Sequence, residues 1–143
     1  MIQQGLTTSF KQQMLQGQQD LAVDTLYIAL YTGLAALGPD TTEYNATNEV
    51  SGTGYTAGGQ QLTGVTISTA TTGPYAGTVY VNFDSVAWAN ASFTARGALI
   101  YNTSQANASV AVLDFGADKT CSNQTFTVTM PVNAVTTALL RFS

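Results

Sequence analysis

The sequence predicts a mostly β protein: an antiparallel β-sandwich, jelly-roll-like, with a short N-terminal helix. Three observations carry that reading. From Asp24 onward apolar and polar residues alternate at the two-residue period of a strand. Gly, Pro, Asn and Asp recur between these runs, where chain reversals belong. Only residues 1–20 show helical spacing. The 143 residues fit one sandwich domain, 1–143, with no linker and no internal repeat.

The helix is read from its ends. Ser9 and Gln12 have the S-x-x-Q spacing of a capping box. Phe10 and Met14 lie four apart on one face, and Gly17 is a natural stop. So short a helix is marginal alone. The segment 1–20 is therefore expected to dock its Phe10/Met14 face on the sandwich or on a neighbouring subunit.

In Thr25 to Thr32, Leu26, Ile28 and Leu30 point one way and Tyr27, Ala29 and Tyr31 the other. Both faces are apolar, so this strand is placed centrally. Gly33 to Gly59 holds Gly38-Pro39 and five further glycines and reads as a long excursion, with a short strand near Gly54 to Ala57. Long loops in compact domains are usually functional. Gly73-Pro74 opens the loop before a strand over Thr78 to Phe83. Ala98 to Tyr101 and Val110 to Phe115 are short apolar runs joined by a polar hairpin loop, Asn102 to Asn107. Asp118 to Asn123 reads as the next hairpin loop, leading to Thr125–Met130, where Phe126, Val128 and Met130 face inward. Leu139 to Ser143 is a last strand.

Charge is scarce: 8% of residues, against about 25% in typical domains. The surface must be covered by Thr, Ser, Asn, Gln and Gly, which resist self-association less well than charges do. Such a coat suits a protein packed against copies of itself or a partner. The plainer alternative is a secreted β domain with a Thr-rich surface. The net charge is −4, and the cations Lys11, Arg96, Lys119 and Arg141 are scattered. Nucleic acid, which needs several clustered cations, is excluded as a main partner. Anionic membranes are disfavoured for the same reason. Cys121 is the one cysteine, so no intrachain disulfide is possible. Met1 to Gly17 is polar and lacks the apolar stretch of a signal peptide. No run approaches the about 20 apolar residues of a membrane span. The expectation is a protein made and kept in the cytoplasm, or released by lysis.

The chain has no histidine. That removes Ser-His-Asp and Cys-His nucleophile systems and the commonest metal ligand. One cysteine without histidine builds no zinc site, and neither a phosphate-binding Walker loop nor a nucleophile elbow occurs. No catalytic residue, metal or cofactor is expected. Asp114 and Asp118 flank Gly116 and are read as a strand end entering a turn, with Asp118 bonding its own backbone, in preference to a calcium site. Eight carboxylates exist, yet their spacing singles out no glycosidase pair. Cys121, near Lys119, is read as a small structural residue because no base is at hand. The Asn-x-Ser/Thr triplets at Asn45, Asn90, Asn102, Asn107 and Asn123 follow from the Ser and Thr content. Trp88, Tyr80, Tyr55 and Tyr75 suit, in that order of preference, core packing, a protein interface or a sugar platform. Arg96 precedes an apolar strand and needs a carboxylate; Asp84 or Asp114 is the natural partner.

Several blocks together resemble a known kind of protein. Phe10-Lys11-Gln12-Gln13-Met14-Leu15-Gln16-Gly17 leads into Asp24-Thr25-Leu26-Tyr27-Ile28-Ala29-Leu30-Tyr31-Thr32. The most specific block is Glu49-Val50-Ser51-Gly52-Thr53-Gly54-Tyr55-Thr56-Ala57-Gly58-Gly59. Phe93 to Asn102 and Ala111 to Gly116 follow. Across nearly the whole chain this resembles a small structural protein of tailed bacteriophages. The resemblance implies a virion component, assembled in the host cytoplasm, and is compatible with a capsid cement or decoration protein. The implied partners are the major capsid protein and copies of itself, in a dimer or trimer. A tail, neck or fibre-attachment protein is the second reading, and a carbohydrate-binding adhesion module the third. The expected contact residues are Phe10, Met14, Val50, Gly54, Tyr55, Gly58, Gly59 and Tyr75, with Arg96 and Asp114 as a structural pair.

Overall fold

The structure, a computed structural model, describes residues 1–142. It is mostly β, with two antiparallel sheets and one short helix near the N-terminus. The strands are β1 (Gly5–Leu6), β2 (Leu26–Tyr31), β3 (Gln60–Gln61), β4 (Thr66–Thr69), β5 (Val79–Asn82), β6 (Val86–Asn102), β7 (Ala108–Val128) and β8 (Leu140–Phe142); the helix α1 spans Thr8–Leu15. The larger sheet has the order β1-β7-β6-β2-β3 and the smaller β4-β5-β8. Ser143, the expected end of the last strand, lies outside the described residues.

Helix α1 begins two residues earlier than the capping-box reading places it. The N-cap is Thr7, whose side chain accepts from the Phe10 N–H, and Ser9 lies inside the helix. Thr7 prevails because it is also held from the other side: its N–H donates to the Val110 carbonyl at 3.1 Å, and Ser109 Oγ donates to its Oγ1 at 2.8 Å. The stop is as expected. Gly17 sits at φ 68, its N–H donating to Met14 O and the Gln18 N–H to Gln13 O, the paired bonds of a Schellman end. The helix docks on its own sandwich, and Phe10 is fully buried there.

Strand β2 has the expected two-sided burial. Leu26, Ile28 and Leu30 join the core between the sheets, with Phe10, Val81, Trp88, Phe93 and Leu140. Ala29 and Tyr31 join a second core on the outer face, with Ile2, Ala35, Leu37, Leu99, Tyr101 and Val112, beside Tyr27 and Tyr44. Residues of the excursion thus cover the outside of the larger sheet.

The hairpin of β6 and β7 departs from expectation. Instead of short runs joined by two loops, it is a 17-residue strand against a 21-residue strand. Asn102 to Asn107 does form the reversal, with Ala106 and Asn107 at positive φ. Asp118 to Asn123, read as a hairpin loop, instead lies within β7. Turn chemistry there bends the ladder without reversing it. Asn90 (φ 50), Asn123 (φ 48) and Gly116 (φ 77) each sit where the β6–β7 register slips. A left-handed residue suits a bulge as well as a turn. The short strand expected near Gly54 to Ala57 is absent: Thr53 makes a single bridge to Ser92, and the next strand, β3, begins just after the excursion.

Gly59 and Gly116 share φ +77 but differ in surroundings. A Cβ on Gly59 would overlap the Ile28 carbonyl at 1.8 Å, whereas nothing lies within 4 Å of one on Gly116. Gly116→Ala should therefore cost about 1–2 kcal/mol from handedness alone. Gly59→Ala should cost a further ~1–3 kcal/mol, because the loop must lift off β2. Chemical denaturation of the two variants checks the gap.

Candidate functional site

The most concentrated polar chemistry lies where the excursion returns to the flank of β2 opposite β6. Val50 N–H donates to Leu30 O at 2.9 Å, and Leu62 N–H donates to Leu26 O at 2.8 Å. Between these two anchors the chain makes tight turns through Gly52, Gly54, Gly58 and Gly59. At Gly52, whose φ is not positive, close approach alone explains the glycine: a Cβ would lie 2.5 Å from Ser92 O.

Glu49 organises this loop. Its Oε1 accepts from Tyr55 Oη at 2.6 Å and from the Gly58 N–H at 2.7 Å, and its Oε2 accepts from Tyr44 Oη at 2.7 Å. Hydroxyl bonds to a carboxylate at this length are charge-assisted and strong. Tyr55 Oη in turn accepts from the Leu30 N–H at 2.9 Å, so one hydroxyl links the loop carboxylate to the edge of β2. Tyr101 Oη donates to Gly58 O at 2.7 Å, and Tyr44 stacks on Tyr101 with ring centroids 4.7 Å apart. Tyr31 Oη donates to Asn45 O at 2.8 Å.

The tyrosines are tuned to remain neutral. Burial, then the bond to Glu49, pushes Tyr55 and Tyr44 well above their ordinary value. Burial, then the nearby Glu49 charge, does the same for Tyr31 and pushes Tyr101 up to about 12. Glu49 meanwhile is bonded by three donors, all from the same excursion. The arrangement therefore works as a clasp that closes a loop on a sheet.

The expected contact residues are mostly engaged inside the chain. Phe10 is 0% and Val50 4% exposed, and Met14 packs half-buried against the core. Tyr55 lies against Trp88 and Phe93. Gly58 and Gly59 belong to the clasp, and a Cβ on Gly54 would lie 2.9 Å from Ala91 Cα. Of the side chains named, Tyr75 is the largely exposed one, at 47%. The clasp role of Glu49 was missed, although the residue opens the most distinctive block. A lone acid three residues before a Gly-x-Gly-Tyr run was its only signal.

Arg96 pairs with Asp114, not Asp84. Its Nε lies 3.5 Å from Asp114 Oδ1, and Nη1 lies 3.9 Å from Asp118 Oδ1. The two aspartates stand at either end of the extra residues by which β7 outruns β6 between Ala95 and Gly97, so the guanidinium spans the bulge. Asp114, where Asp118 was expected, bonds the local backbone, accepting from the Gly116 N–H at 2.9 Å. Because these side chains are partly solvated, the pair contributes at most about 1 kcal/mol. Trp88 is 2% exposed, which withdraws it from any sugar platform. Cys121 is buried, with its Sγ 3.5 Å from Phe93 O. Among the described residues no group of three or more His, Cys, Asp or Glu could hold a metal ion, and no helix is long and apolar enough to cross a membrane.

No protein-family model, curated protein or solved structure matches this chain.

Two measurements probe the clasp. Tyr55→Phe leaves the Leu30 N–H without its acceptor and Glu49 short of a donor, and should cost about 1–3 kcal/mol in urea unfolding. Alkaline titration should also expose the raised tyrosines. The unfolded chain loses its phenolic protons near the ordinary 10.0, while the folded chain holds them longer. Stability from these groups is thus complete below pH 10.0 and falls as pH rises through 10.0 to about 12 and beyond. Tyrosinate absorbance should rise together with the loss of the β signal in circular dichroism.

Proposed function

We propose that this chain is a non-enzymatic structural protein of a bacteriophage virion, acting as a capsid cement or decoration protein that bridges copies of the major capsid protein. The observation that supports it best is where the few charged and polar groups are used. Glu49 closes a loop, Arg96 spans a bulge, and the Asn102 amide donates to Gln19 and Asp24 where residues 17–25 meet the β6–β7 turn. No Asp, Glu, Lys or Arg occurs from Val50 to Phe83. Charges that fasten a rigid scaffold, and a neutral Thr- and Ser-rich coat around it, suit a component that meets other proteins over broad surfaces. The resemblance of the Glu49–Gly59 block to small phage structural proteins supplies the setting. A tail or neck role in the same particle draws on the same features. The adhesion-module reading is weakened by the burial of Trp88.

Quantitative mass spectrometry of purified particles of the phage that encodes this chain tests the proposal. The expected result is a copy number comparable to that of the major capsid protein. A few copies per particle would move the protein to the tail or neck, and absence from particles would remove the virion reading altogether.

A further inference from the structure

Four strands end the two sheets: β1 and β3 in the larger, β4 and β8 in the smaller. An outer strand presents a row of unpaired backbone N–H and C=O groups, and proteins blunt such rows by shortness, charge or cover. Strands β1 and β3 are each two residues long. Strand β8 carries Arg141 at its centre. The flank of β7 beyond its pairing with β1 bears Asp114, Asp118 and Lys119 and is kinked at Gly116. Strand β4 has none of these devices. Its four residues, Thr66-Ile67-Ser68-Thr69, include no charge and no proline, and Thr66, Ile67 and Thr69 are exposed. Ile67 is 48% exposed.

We propose that β4 pairs antiparallel with β4 of a second copy of this chain across a two-fold axis, joining the two smaller sheets into one. This rests on the assembly reading above and names one of its contacts. The second copy is favoured as occupant because an antiparallel edge is its own complement. Residues whose N–H and C=O point outward recur at every second position. A two-fold axis at Ile67 therefore sets like-oriented residues opposite each other, Ile67 against Ile67 and Thr66 against Ser68. Charge selects the same place. Two copies of a chain with net charge −4 repel wherever their carboxylates face one another. Strands β4 and β5 carry no charge of their own, and the ions that line the groove beside Ile67, Lys11 and Asp20, are of opposite sign, so the edge adds no like-charge repulsion of its own.

Sedimentation velocity of the full chain tests the pairing, with two variants. The wild type should sediment as a concentration-dependent dimer. Ile67→Lys places like charges opposite each other at the axis and should sediment as a monomer, with unchanged circular dichroism and thermal midpoint. Ile67→Cys should form an interchain disulfide on mild oxidation, since Cys121 is buried and does not compete. An Ile67→Lys dimer as tight as the wild type would overturn the β4 contact while leaving self-association intact. A wild type that stays monomeric at every concentration, with no linked dimer from Ile67→Cys, would overturn the contact too. Particle composition, not this measurement, decides the reading on which the proposal rests.

Discussion

Strand β2 sets the terms for the rest of the molecule. With Leu26, Ile28 and Leu30 on one face and Tyr27, Ala29 and Tyr31 on the other, it has no face to give to water. A two-layer sandwich covers only one side of each sheet. The other side must be covered by something else, and the chain supplies it from the residues that follow β2. Ala35, Leu37 and Tyr44 come back over Tyr31, Leu99 and Tyr101. A covering loop without a regular ladder of its own needs fixed points, and those are the Glu49 clasp and the backbone bonds of Val50 and Leu62 to β2. The clasp thus completes what the composition of one strand demands.

Much of this was legible in the sequence, and the rest was hidden for identifiable reasons. The two-sided character of β2 followed from its residues, because a strand's faces are fixed by a period of two. The helix, its Gly17 stop and the Asn102–Asn107 reversal were readable because each rests on local chemistry. The long β6–β7 hairpin was not. Gly116, Asn90 and Asn123 carry the left-handed conformation that turns require, and local sequence alone does not separate a reversal from a bulge inside a continuing ladder. What separates them is the partner strand, which lies elsewhere in the chain. The same limit explains Glu49. Its donors Tyr44, Tyr55 and Gly58 are close in sequence, but the need for a clasp arises at Leu30 and Tyr101.

The distinctive Glu49–Gly59 block invites a functional reading because of its odd composition, yet its oddness has an internal cause. Gly59 passes so close to Ile28 that no side chain fits, Gly52 is crowded by the Ser92 carbonyl, and Tyr55 carries its hydroxyl to the Leu30 N–H. A loop that lies flat along a strand edge must be stripped of side chains on the near side and given hydrogen-bonding reach at a few points. The apolar side chains that the fold itself leaves exposed lie elsewhere, Tyr75 and Ile67 among them.

Scarcity of charge has two consequences that point the same way. Inside the molecule, Glu49 and Arg96 are each given a local structural task. Outside, the ordinary means by which β proteins keep strangers from their edges is missing over a long stretch. Shortness guards β1 and β3, and Arg141 guards β8. At β4 neither length nor charge does so. An edge left open in this way is a liability for a protein that must remain alone, and an asset for one whose working state includes a neighbour. The scarcity of ions that gives Glu49 and Arg96 their structural tasks is thus the same scarcity that leaves β4 without a guarding charge.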